Sequence, residues 1–569
     1  MRFLFPYWLV YKKTILAGLL FLAAEAVCDL LLPTIVSRVI DDGIRNQSIE
    51  TVMRYGGLML IVALFGACCV VGRSVLASRV SQNFGTDLRL DLYKKINGLS
   101  FDTLGKYETA SLITRVTNDT SQLVNFTNGM MRIFVKSPLL LLGCFAMVFL
   151  LNVKFALILL AVVPLVVALI YASMKIGYPF FARMQVSLDA NNAVIREYLS
   201  GVRVVKAFNT FEQETARFGK TNTALTDISI SAHRVMSVFT PIISLTVNAG
   251  VVLALWLARG WVAEQNIMVG QIVAFINYMT TILFSLGMIF MVYQQFIRAK
   301  ASAERVSEVV REPCEETSAV EAQKIKGGVR FENVTFGYAS TGAGATPVLS
   351  DINFEIPRGE SLGVIGSTGA GKSSLVSLVA GFYPFDGNIF IDGTPNADFG
   401  NEALRGQIAF AAQQSILFHG TVADNIRMGK PDATDGEIIE AAKAAQAHEF
   451  ISGFPDGYET VIGQLGVNLS GGQKQRVSIA RALVRKAPIL ILDDCVSAVD
   501  SETERALIES IYALEPKPTT IMITQRISTI INFKYILVLD EGRAAGFGDH
   551  RSLMETSPVY REIYESQNI

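Results

Sequence analysis

Along the first half of the chain, apolar residues come in six blocks: residues 15–36, 56–78, 133–151, 155–174, 239–261 and 269–290. Each holds about 20 residues, enough to cross a hydrocarbon core of ~30 Å as a helix. An even number of crossings leaves both ends of the chain on one side. Blocks three and four are joined by only Asn152, Val153 and Lys154, whereas long polar stretches follow blocks two and four. The long stretches carry the basic residues, among them Arg89, Lys94, Lys95, Lys106, Arg115, Arg183, Arg203, Lys206 and Arg217, against Arg45, Arg54 and Lys154 opposite. That bias predicts an integral protein of a bacterial cytoplasmic membrane, surrounded by lipid, with the long loops and both termini in the cytoplasm. Leu88, Leu92 and Ile96 keep a spacing of four with charges between them, so the second span should continue into the cytoplasm as a helix. No cleavable signal peptide is expected: residues 2–8, ahead of Lys12 and Lys13, read as an interfacial anchor.

Beyond residue 298 the pattern changes. Residues 299–327, rich in Glu, Ser and Ala, read as a linker, and from 328 to 569 short apolar strands alternate with helical stretches and glycine-rich turns. Residues 329–336 alternate like an edge strand, while 361–365, 489–492 and 520–523 read as buried strands. The predicted architecture is multidomain, an all-α transmembrane domain of six helices (1–298) fused to an α/β domain on a largely parallel sheet (328–569). Composition agrees: 51% of residues are apolar and 18% charged, with a mean hydropathy of +0.38. Fifty basic residues almost cancel 51 acidic ones, so nothing points to nucleic acid. The six cysteines lack zinc spacing and read as reduced, small apolar residues.

The soluble half carries the chemistry. Directly after the strand ending at Ile365 come Gly366, Ser367, Thr368, Gly369, Ala370, Gly371, Lys372, Ser373 and Ser374, a full phosphate-binding loop. Its glycines let successive N–H groups curl around phosphates at a helix N-terminus, Lys372 adds a point charge, and the Ser373 hydroxyl can ligate Mg²⁺. The apolar strand 489–492 ends in Asp493, a second Mg²⁺ element. ATP with Mg²⁺ is the expected ligand. Between these motifs stand Leu469, Ser470, Gly471, Gly472 and Gln473, and with them the chain resembles the ATP-binding cassette (ABC) family over essentially its whole length. The resemblance implies that Tyr338 stacks on adenine, that Gln413 senses Mg²⁺, and that Asp500 lies in an inter-domain loop. Residues 469–473 would complete the site of a second subunit. It further implies an exporter-type half-transporter that works as a dimer, with tips of the cytoplasmic loops, around 112–119 and 209–215, docked on the cassettes.

Two positions depart from the family pattern. Asp494 stands where the family usually has the Glu that polarises attacking water, and Gln525 where it has a switch His. Asp reaches about 1.5 Å less far, and Gln cannot become cationic. Gln464 also replaces a Glu common in exporters. Together with the intact 469–473 segment, these resemble the degenerate-site subunit of a heterodimeric multidrug exporter, with a second, non-identical half-transporter as partner. In the spans, Glu25 and Asp29 share one face of the first, and contact with a cationic substrate and an interhelical ion pair, for example to Arg73, both remain open. Phe284, Met288 and Met291 share a face of the sixth, suited to small hydrophobic substrates or to ordinary packing. Peptide or envelope-lipid export, and an ATP-clamped sensor with negligible hydrolysis, remain alternatives to hydrophobic-drug export.

Overall fold

Hydrocarbon offers no partner to a backbone N–H or C=O, so apolar blocks of this length cross it as helices. The computed structural model describes residues 1–263, 267–315, 324–338 and 347–567. Among the described residues, six helical stretches are long and apolar enough to span, the first being Lys12–Ile44 and the third Thr109–Leu151, and their main helices are α1 (Lys12–Arg38), α2 (Ile49–Asn97), α3 (Lys136–Leu151), α4 (Val153–Phe208), α5 (Phe211–Ala263) and α6 (Val269–Arg311). At 1.5 Å per residue, the 49 residues of α2 and 56 of α4 extend roughly 75 and 85 Å. These lengths far exceed a ~30 Å hydrocarbon core. The turn between α4 and α5 rests on Asn209, whose left-handed φ of 53° suits Asn better than a branched residue.

The chain divides into two units, residues 1–94 with 112–311, and residues 95–111 with 312–569. In the first, Tyr278 of α6 is fully buried and its hydroxyl donates to the carbonyl of Leu30 on α1. Phe155 and Phe275 stack at 4.7 Å between centroids. Asp41, just past α1, accepts the Gly270 N–H at 2.7 Å and so caps α6 from another element. Near the amino end, Tyr7 and Tyr11 donate to Asp91 and Asp87 of α2, while Phe5, Leu9 and Val10 stay exposed. The helix α6 does not stop at the composition change at residue 298. Ala299, Ala303, Val306 and Val309 keep helical spacing and are all buried.

Within the first unit, residues 112–119 bond to α6. Asp119 is fully buried and accepts from Arg305 Nε at 2.8 Å and Ser302 Oγ at 2.9 Å, and Arg115 donates to Glu308 at 3.0 Å. In the second unit a five-residue helix, Phe101–Gly105, packs against the soluble half. Phe101 lies 4.4 Å from the Phe382 ring, and Arg405 covers both rings while gripping Glu315 with two bonds of 2.6 and 2.8 Å. One turn of helix shows no periodicity in a sequence, so this contact has no local signal.

The second unit holds two principal sheets. One is antiparallel, in the order β2 (Leu349–Ile356), β1 (Val329–Phe336), β4 (Asp386–Ile391), β5 (Thr394–Pro395). Thus β1 is an inner strand rather than the predicted edge. Its alternation reports one wet face, which an inner antiparallel strand also has. The other sheet runs β12 (Arg543–Gly548), β11 (Tyr535–Asp540), β3 (Ser361–Gly366), β10 (Thr519–Ile523), β9 (Ile489–Asp493), β6 (Ile408–Ala411), parallel except for β12. Strands β9 and β10 are buried at every position, as helices on both faces require.

The capped start of α6 is testable. A Cβ at Gly270 would lie 2.3 Å from the Ser37 carbonyl oxygen and 2.5 Å from Asp41 Oδ2. Gly270→Ala should therefore lower unfolding stability by roughly 1–3 kcal/mol, read as a fall in melting temperature in detergent, whereas Gly260→Ala, with open space around it, should not.

Candidate nucleotide-binding site

The site forms where three parallel strands end side by side. Register pairs Ile523 of β10 with Asp493 of β9 on one side and with Val364 of β3 on the other. The segments that follow, 366–374, 494–500 and 524–527, therefore leave the sheet together. After β3 the chain turns through Gly369 and Gly371, with φ of 88° and 94°, into α7 (Lys372–Val379). At Gly371 a Cβ would also sit 2.6 Å from Leu349 Cδ2, so both conformation and space demand glycine. The free N–H groups at the start of α7 and its dipole make an anion cradle. Lys372 Nζ donates to the carbonyls of Gly366 (2.9 Å) and Ser367 (2.7 Å), a local hold that an incoming phosphate can replace. Burial pushes the Lys372 ammonium below its ordinary pKa, while Asp494 and Asp493 oppose that shift.

The Ser373 hydroxyl donates to Asp493 at 3.0 Å. Asp494 has a left-handed φ of 45°, and its N–H donates to the Ile523 carbonyl. Its Oδ2 accepts from Gln525 Nε2 at 3.2 Å and from Gln413 Nε2 at 3.5 Å, so the three residues that define the site's hydrolytic side meet on one oxygen. Burial raises the pKa of both Asp493 and Asp494; hydrogen bonds from Gln525 and Gln413 partly offset the rise at Asp494. Ser373, Asp493 and Gln413 offer an all-oxygen set, which suits Mg²⁺. Tyr338 bonds Ser374 through its hydroxyl at 2.9 Å and meets the rings of Phe336 and Tyr383 edge-on.

Ser470 caps α8 (Gly471–Leu483): it accepts the Gln473 N–H, and Gln473 Oε1 accepts its own N–H at 2.9 Å. Among the described residues this pair bonds within itself rather than to 366–374. Leu469 is buried beneath it, and a Cβ at Gly472 would fall 2.8 Å from the Ala498 carbonyl oxygen. Gln475, not singled out in the sequence, joins this helix to the loop after β9, donating to Ser497 at 3.2 Å and accepting from Ala498 N–H at 2.9 Å. Asp500 caps α9 (Ser501–Tyr512) through Thr503. An Asp followed three residues later by Thr signalled that cap; nothing local to Gln475 signalled its bridge.

Residues 15–286 match the ABC transporter transmembrane region, and residues 349–497 match the ABC transporter domain. The ATP-dependent lipid A-core flippase of Chromobacterium violaceum is 33% identical over 100% of this chain and 97% of its own. The multidrug export ATP-binding/permease protein YgaD of Bacillus subtilis, a putative assignment in its own description, is 32% identical over 98% of each chain. This chain belongs to the ABC exporter family. The solved structure of a bacterial Atm1-family ABC exporter with ATP bound superposes with a TM-score of 0.81 at 26% identity, covering 98% of this chain and 99% of that one. The exporter is thus an integral membrane protein whose cassette couples ATP hydrolysis to transport.

In the membrane unit of the exporter, Glu25 and Asp29 both take part in ion pairs. Arg73 Nε donates to Glu25 at 2.6 Å, and Lys136 binds both Glu25 and Asp29, the latter at 2.9 Å. Two carboxylates meet two cations, so the cluster is neutral where charge is most costly. Phe284, Met288 and Met291 are 65%, 38% and 65% exposed: packing within this chain does not cover them.

Glu25 is the common partner of both cations. Glu25→Ala should cost roughly 3–5 kcal/mol by stranding Arg73, while Lys136 keeps Asp29, read as a large fall in the detergent melting temperature. Glu25→Met with Arg73→Leu should recover part of the loss, because it removes a charge of each sign and leaves Lys136 with Asp29.

Proposed function

We propose that the chain is one subunit of an ATP-driven exporter of hydrophobic or amphipathic molecules, paired with a second, non-identical half-transporter. In this reading its own ATP site is slow, and its Leu469–Gln473 signature segment completes the partner's faster one. The observation that carries it is the state of Asp494. The residue at the position of the general base is one methylene short, and its Oδ2 is already taken by two side-chain amides. General-base help contributes roughly 10²–10⁴ in rate, and a 1 Å misplacement can remove ~100-fold. By contrast, the capped Ser470 turn keeps its hydroxyl and glycine N–H groups at the start of a helix, the geometry that receives a γ-phosphate from another subunit.

The parts divide as follows. Residues 366–374 bind the phosphates, Lys372 with charge and the α7 N-terminus with N–H groups. Tyr338 packs on adenine, and Asp500 belongs to the inter-subunit loop. Ser373, Asp493 and Gln413 hold Mg²⁺, which when bound neutralises phosphate charge. Gln525 donates a hydrogen bond to the γ-phosphate but supplies no positive charge. The docked Phe101–Gly105 helix transmits cassette movement, and the exposed Phe208 and Phe211 at the α4–α5 turn reach the partner's cassette. Substrates meet the uncovered Phe284, Met288 and Met291. The bias of basic residues toward the long loops supports a cytoplasmic position for this machinery in a bacterium. Similarity to the lipid A-core flippase supports an amphipathic lipid as the second substrate reading.

The test is steady-state ATPase of the reconstituted pair. Ser470→Ala or Gly471→Glu should nearly abolish activity, because they damage the fast site across the interface. Asp494→Ala should leave most of it. Loss of most activity in Asp494→Ala, or robust turnover by this chain alone as a homodimer, would sink the asymmetric model. Lys372→Ala should separately weaken ATP occupancy of this chain's own site, measured by photo-labelling.

A further inference from the structure

The switch residue Gln525 sits on a loop that bonds hold from several sides. Thr524 N–H donates to the Val364 carbonyl, and Arg526 N–H to Thr524 Oγ1. Arg526 Nη1 pairs with the buried Glu504 at 2.6 Å, and Thr529 donates to the same carboxylate. The remaining side faces a hollow of about 490 Å³ bordered by Tyr564, Ser528 and Ile531. Ile527 is anchored in the core, whereas Gln525 is exposed and lines that hollow. From α11 (Pro558–Gln567) the side chain of Gln567 crosses to it: Gln567 Nε2 donates to the Gln525 carbonyl at 2.6 Å, and Gln567 Oε1 accepts the Ile527 N–H at 2.8 Å. One amide therefore grips the backbone on both sides of Arg526, and the side chain of the gripped Gln525 is the one that reaches Asp494 at 3.2 Å.

We infer that Gln567 is a positioning residue for the nucleotide site: its two-bond clamp on the switch backbone sets where the Gln525 amide stands, and so how strongly the site prefers ATP over ADP. The reasoning is geometric. An amide is the side-chain group that can donate to a carbonyl and accept from an N–H two residues on at the same time. Releasing the clamp frees the Gln525 backbone to move toward the hollow, and a 1 Å shift at the end of a side chain removes a hydrogen bond to its target. Only the γ-phosphate lies within the duty of Gln525, so ADP should not feel the change. This inference rests on the nucleotide reading of the site; it does not depend on the partner's identity. Because Gln567 stands in the last turn of α11, while the fully buried Tyr560 anchors that helix, its replacement leaves the fold intact.

The experiment uses the full-length, membrane-reconstituted exporter with Mg²⁺. Photo-labelling of this chain by 8-azido-ATP is competed with unlabelled ATP or ADP. Gln567→Ala should raise the competing ATP concentration about fivefold, the scale of one hydrogen bond, and leave that for ADP unchanged. Gln567→Glu should do the same, because a carboxylate cannot donate to the Gln525 carbonyl. Gln525→Ala should show the same loss of ATP preference, with nothing further lost when Gln567→Ala is added. An unchanged ATP-to-ADP ratio in Gln567→Ala would overturn the inference, as would full additivity of the two changes or equal weakening of both nucleotides. Lys372→Ala should weaken both nucleotides; if it weakens neither, the nucleotide reading beneath the inference fails instead.

Discussion

Parallel pairing of β3, β10 and β9 brings three chain segments out of the sheet at one edge, and the chemistry of the soluble unit depends on that pairing. Ile523 stands between Val364 and Asp493. Because parallel strands all point the same way, the phosphate loop, the aspartate pair and the switch loop must emerge as neighbours. A slip of one residue in any of the three would swap the faces on which its side chains pack and carry Asp493 away from Ser373. The same burial that fixes the register also raises the pKa of both aspartates and lowers that of Lys372. The site is thus built to receive phosphate and metal charge, which compensates groups that water no longer reaches.

The membrane unit solves the opposite problem, removing charge from where no ligand compensates it. Glu25, Arg73, Lys136 and Asp29 neutralise one another across α1, α2 and the start of α3. At the end of the first crossing, Asp41 meets the N–H of Gly270, and beyond the spans Asp119 meets Arg305 and Ser302. Each is a polar contact between segments far apart in sequence, and each ties α6 or α1 to a neighbour. Burial of apolar surface gives little preference between helix partners within lipid, so such contacts carry much of the specificity of helix pairing.

Around the nucleotide site, side-chain amides do work that charged groups often do elsewhere. Gln525 and Gln413 converge on Asp494, Gln475 joins the signature helix to the loop after β9, and Gln567 holds the switch backbone. An amide donates and accepts at once and carries no net charge, so it fixes geometry without changing the field at the phosphates. A site wired this way holds its parts in place without adding charged groups.

Much of this was legible in the residues themselves. Six apolar blocks fixed the spans because hydrocarbon demands about 20 apolar residues per helix. The phosphate loop, Asp493 and the signature segment were readable because their function requires fixed residue types at fixed short spacings. The extension of α2 beyond the membrane followed from Leu88, Leu92 and Ile96, whose periodicity is local. Tertiary structure decided whatever joins distant positions. The inner place of β1, the pairing of Glu25 with both Arg73 and Lys136, the packing of Phe101 against Phe382, and the reach of Gln567 to Gln525 all lie there. Alternation, spacing and charge describe a segment's own faces; they carry no information on which other segment covers them, and that is settled only when the chain packs.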